Sequence, residues 1–99
     1  MATLHLINAP APDSAALSNC LRAARDGDTV LLIGNGVFCA VADSFTRVRI
    51  GKTNLSWCAL SEDVESRAIG ERIATAVALV DDATFVDLVA RHQPVVSWS

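Results

Sequence analysis

The twelve residues RDGDTVLLIGNG, Arg25 to Gly36, decide how this chain folds. They open on a turn, "RDGD" (25–28), in which glycine and aspartate stop a preceding helix. The run "TVLLI" (29–33) then has no polar alternation, so it suits a strand buried on both faces. A strand of that kind needs cover above and below, which is the situation of an inner strand in an α/β sheet. Gly34-Asn35-Gly36 closes the run as a tight turn.

Outward from this stretch the pattern repeats. "TLHLIN" (3–8) reads as a short strand stopped by the prolines of "APAP". Asp13 or Ser14 can cap a helix running to about Arg25, with Leu17, Leu21 and Ala24 as its apolar stripe and Arg22 and Arg25 near the end that suits cations. After the glycines, "VFCAVAD" (37–43) reads as a short helix. The stretch 44–54, with Arg47, Arg49 and Lys52, reads as an exposed connection or an edge strand and a solvated basic face. "LSWCAL" (55–60) is a further strand. Ser61 then caps a helix with Glu62 and Asp63 in its first turn and Gly70 as its stop. "TAVALV" (75–80) is a fourth strand. Asp81 or Asp82 caps a helix carrying Phe85, Val86, Leu88 and Val89 on one face, which closes with Arg91 and His92 before Pro94. "VVSW" (95–98) is a terminal strand. Apolar strands alternating with short helices predict an α/β sandwich around a mostly parallel sheet, in one domain spanning residues 1–99.

Composition narrows the function classes. The chain is 52% hydrophobic before its five glycines are counted, against about 45–50% with glycine included in ordinary domains. Aromatics are scarce, so the surplus is aliphatic, and part of it is expected on a surface that another subunit covers. A net charge of −3 argues against nucleic acid as a direct partner, because phosphate binding needs clustered cations. No apolar run approaches the ~20 residues of a membrane helix, and the N-terminus lacks the basic start of a signal peptide. Three cysteines without CxxC or zinc spacing point to free thiols in a reducing, cytoplasmic setting.

Few residues are candidates for chemistry. Cys20 lies at the edge of its helix's apolar stripe, where a small buried residue is the plain reading. Arg22 and Arg25 favour the opposite reading, a reactive thiolate. Cys39 and Cys58 sit in apolar runs that keep a thiol protonated. Gly34-Asn35-Gly36 falls where α/β sheets bind phosphates, but the third glycine of GxGxxG is replaced by Cys39 and no acid follows at the required distance. That leaves a tight turn as the plain reading and a small nucleotide-binding domain as a weak one. His5 reads as a satisfied polar group and His92 as a partner of its helix terminus. Trp98 either packs into its own domain or plugs a partner's surface.

Four segments, in order, resemble the DsrH/TusB family of sulfur-relay subunits: "LHLIN", "SAALSNCLRAARDGDTVLLIGNGVFCAV", "CALSEDVESRAI" and "LVDDATFVDLVARHQPVVSW". The resemblance runs nearly end to end. It implies a three-layer α/β/α sandwich with a five-stranded, mainly parallel sheet. It also implies assembly with DsrE-like and DsrF-like subunits into a heterohexamer with two copies of each. Such complexes pass persulfide sulfur between donor and acceptor proteins, in dissimilatory sulfur oxidation or in 2-thiouridine formation in tRNA. The principal sulfur-carrying cysteine of the family belongs to the DsrE-like subunit. Cys20 falls where the DsrH branch carries a cysteine of its own, so the resemblance makes Cys20 a candidate persulfide carrier and favours the sulfur-oxidation branch. Thiol exchange of this kind needs no metal or organic cofactor. The competing expectation is a structural subunit that completes the complex while its partner holds the working thiol.

Overall fold

A computed structural model describes residues 2–8, 15–42 and 54–98. The expected cap at Asp13 or Ser14 and the basic stretch through Arg47, Arg49 and Lys52 lie outside the described residues. Five strands form one sheet: β1 (Leu4–Ile7), β2 (Thr29–Leu32), β3 (Ser56–Leu60), β4 (Val77–Val80) and β5 (Val95–Trp98). Their order across the sheet is β4-β3-β2-β1-β5. All four pairings are parallel, with Leu4 opposite Thr29 and Val95, Val30 opposite Trp57, and Trp57 opposite Val77. The five apolar runs of the sequence are therefore the five strands, and β2, the innermost, is buried at every position.

Among the described residues are the α-helices α1 (Ala15–Ala23), α2 (Ser61–Ser66) and α3 (Asp82–Arg91). Strands β1 to β4 step across the sheet in one direction, and β5 returns beyond β1. Right-handed crossovers then place the first connections on one face and α3 on the other. The core agrees. Ile7, Val30, Leu32, Trp57, Ala59 and Val77 share one face by strand alternation. They cluster with Leu17 and Cys20 of α1, with Val37, Cys39 and Ala40, and with Val64 of α2, and no α3 residue joins them.

Four sequence expectations change. Residues Gly34–Ala40 form a 3-10 segment, one that starts at the glycine turn itself and not after it. Ser61 is the first helical residue of α2, whose N-cap is Leu60. That helix also ends at Ser66, well before Gly70. Ala68 takes the left-handed conformation (φ 54°) that ends it, and Gly70 opens a short 3-10 turn, Gly70–Arg72. The apolar face expected of α3 is split: Phe85 and Leu88 are half-buried, whereas Val86 is 65% exposed and Val89 37%. Asp81 caps α3 as expected, accepting the Thr84 N–H at 2.8 Å, and hydrogen bonding from the Thr84 side chain, then from its backbone N–H, holds the carboxyl below the usual range.

Candidate functional site

The expected carrier, Cys20, lies on the inner side of α1, fully buried against the sheet. Burial, reinforced by the negative charge of Asp28, pushes its thiol up to about 12. The cations counted on to favour a thiolate do not act on it. Arg22 turns to Asn19, donating from Nη2 to Oδ1 at 2.6 Å on the surface. Arg25 addresses Asp28 through its backbone N–H. The charge that Cys20 feels is thus an anion, the reverse of what the neighbouring arginines suggest. Cys39 is also fully buried, with its thiol pushed up to about 11 by burial. Cys58, on the opposite sheet face, is half-buried and its thiol is raised by burial as well.

Asp28 is the polar centre beneath α1. It sits in the turn before β2 and is almost wholly buried. Oδ1 accepts the Thr3 N–H at 2.9 Å, while Oδ2 accepts the Arg25 N–H at 3.0 Å and lies 3.0 Å from His5 Nε2. Burial alone would raise this carboxyl. The two backbone N–H bonds and His5 outweigh it and hold the group below its ordinary range. The other ring nitrogen of His5, Nδ1, accepts the indole N–H of Trp98 at 3.1 Å. Trp98 therefore packs into its own domain. An open groove of about 550 Å³ borders Asp28, lined by Ala2, Thr3, Arg25 and Asp26.

At the C-terminal edge of the sheet, the glycine turn is closed by its own chain. Gly34 (φ +53°) takes a conformation that suits glycine, and a side chain there would run into Asn8. A side chain at Gly36 would strike the Ile7 carbonyl. The Gly34 N–H donates to Asp63 Oδ2 at 2.7 Å, and the Gly36 N–H donates to the Ile33 carbonyl at 2.8 Å. Arg67 forks onto the Asn35 side-chain oxygen from Nε and Nη2 at 3.0 and 2.9 Å, and donates from Nη1 to the Asp63 carbonyl. A carboxylate of the protein thus stands where a nucleotide phosphate would meet Gly34, and the nucleotide reading loses its main support. Nothing in the sequence ties Asp63 and Arg67 to a turn some thirty residues earlier, although their i, i+4 spacing is a known helix pair.

His92 does what its position suggests. Its Nδ1 donates to the Leu88 carbonyl at 2.8 Å, a second donor to an oxygen that also accepts the His92 backbone N–H at 3.1 Å at the end of α3. Among the described residues no cluster of three or more His, Cys, Asp or Glu side chains could hold a metal ion, and no helix is long and apolar enough to cross a membrane.

Comparison with known proteins fits this arrangement. A family model described as DsrH like protein matches residues 11–95. The chain is 32% identical over 95 residues to Protein TusB of Pectobacterium parmentieri, covering 96% of this chain and 99% of the relative. It is 33% identical over 87 residues to Protein TusB of Yersinia pestis (strain Pestoides F), covering 88% and 92%. Protein TusB of Yersinia pseudotuberculosis serotype O:1b matches to the same extent.

Proposed function

The chain belongs to the DsrH-like family, and from that premise we propose that it is a subunit of a sulfur-relay complex, in which it serves as scaffold while a partner's thiol carries the sulfur. The observation that carries the scaffold half of this reading is the burial of Cys20. Sulfane sulfur moves when a thiolate attacks a sulfur atom and another thiol leaves, so the carrier must be both ionised and reachable. Cys20 is buried in the folded chain and its thiol is pushed up to about 12, which supports a partner's thiol as the carrier. A carrier role for Cys20 would require α1 to lift from the sheet.

The partners proposed are DsrE-like and DsrF-like subunits in a heterohexamer with two copies of each. The exposed aliphatic positions Leu79, Val86, Val89 and Val95 give the chain apolar surface to contribute to such an assembly. The name TusB borne by its relatives supports the tRNA 2-thiouridine branch. The sulfur-oxidation branch rests on the position of Cys20, a weaker footing once that thiol is buried.

The test is reconstitution. The complex is assembled with and without this chain, loaded from a persulfide donor, and its delivery to an acceptor thiol followed by mass spectrometry. A Cys20→Ser variant should deliver sulfur at the wild-type rate, and omission of the chain should abolish delivery. If Cys20→Ser fails as completely as omission, the scaffold reading is wrong and Cys20 is a carrier.

A further inference from the structure

His5 stands between a group that only accepts and a group that only donates. The ionised Asp28 carboxylate requires a proton on Nε2; the Trp98 indole N–H requires a lone pair on Nδ1. One form of the ring meets both demands, the neutral imidazole protonated on Nε2. A second proton, on Nδ1, would set two N–H groups against each other and break the bond to Trp98. His5 itself is 3% exposed, whereas Trp98 is half-buried, so an indole displaced from Nδ1 can turn towards solvent.

What the bond holds is the C-terminal strand. Among the described residues β5 is an edge strand that pairs with β1 alone, and its residues are exposed or half-buried throughout. Among the described residues Trp98 is the one from β5 that packs against the core cluster. We propose that the Asp28–His5–Trp98 chain is a proton-sensitive latch: protonating His5 at Nδ1 releases Trp98 and loosens β5 from β1. The added proton comes from solvent and returns to it, and no covalent bond between heavy atoms changes.

Asp28, from the turn before β2, is the anion in contact with His5. The Cys20 thiol on α1 stays neutral and feels the same Asp28 charge. Arg25 contributes its backbone N–H to Asp28. Because Asp28 is held below the ordinary carboxylate range, it remains an anion while histidines titrate. The inference is independent of the sulfur-relay reading.

The test uses the full-length chain with Trp57→Phe, which leaves Trp98 as the sole tryptophan. Indole emission and backbone amide exchange at residues 95–98 are followed from about pH 8 to about pH 5. Acidification should red-shift the emission and speed exchange by about tenfold or more, after correction for the intrinsic pH dependence of exchange. His5→Gln, which has no titratable ring, should show neither change across the range. A wild-type Trp98 that reports no transition, or a transition that persists in His5→Gln, overturns the latch. Trp98→Phe in the otherwise native chain is the second route, read by exchange alone. It keeps an aromatic ring, smaller than the indole, and removes the N–H, so β5 should exchange fast at both ends of the range; a surviving pH dependence overturns the proposal equally.

Discussion

The two faces of the sheet have different chemistry. On one, α1, the Gly34–Ala40 segment and α2 close over Ile7, Val30, Leu32, Trp57 and Ala59, and two thiols, Cys20 and Cys39, are sealed beneath them. On the other, α3 has no buried residue, Cys58 is half-buried, and Val86, Val89 and Val95 meet solvent. The same residue type is inert on the first face and accessible on the second. Burial, more than local sequence, decides what each cysteine can do. The aliphatic surplus of the composition also divides: the α1 side places most of it in the core, and the α3 side keeps Val86, Val89 and Val95 at the surface.

The contrast can be broken first at Asp28. Asp28→Ala leaves His5 and the N–H groups of Thr3 and Arg25 without their acceptor, and should cost about 3–5 kcal/mol in denaturant unfolding. The sign with pH follows from the lowered carboxyl. Its folded value lies below its unfolded one, so the stabilisation is present above the ordinary carboxylate range and is lost as pH falls through the folded value. Wild type should therefore lose stability more steeply than Asp28→Ala on acidification below that range. Leu17→Ala, a cavity under α1, should cost about 2–5 kcal/mol in the same assay. Gly34→Ala, where φ is +53° and Asn8 blocks the side chain, should cost about 1–3 kcal/mol. Val86→Asp on the exposed side of α3 should change the stability of the isolated chain by no more than about 0.5 kcal/mol. A large loss there would mean that the α3 surface is part of the chain's own core and would erase the contrast between the faces.

Much of this fold is legible in the sequence because its strands are short apolar runs set off by turn residues. Asp81 at the start of α3 and His92 at its end are local signals of the same kind, and each makes the local bond its position implies. The misses are non-local. The length of α2 is set by Ala68 adopting a left-handed turn, which nothing in its residue type advertises. Arg22 and Arg25 are close to Cys20 in sequence, but in the fold the charge near that thiol belongs to Asp28. His5, Asp28 and Trp98 come together from separations of 23 and 93 residues, which no spacing rule covers. Sequence reasoning could mark His5 as a polar group needing partners; only the register of β1 between β2 and β5 supplies them.

The most direct measurement is competitive alkylation of the native protein, alone and in its assembled complex, with each cysteine quantified by mass spectrometry. Cys58 should label first, and Cys20 should label at least about 100-fold more slowly, catching up only when denaturant opens the fold. Native labelling of Cys20 as fast as Cys58 would contradict the account, because it would mean that the thiol under α1 is within reach of another protein's sulfur.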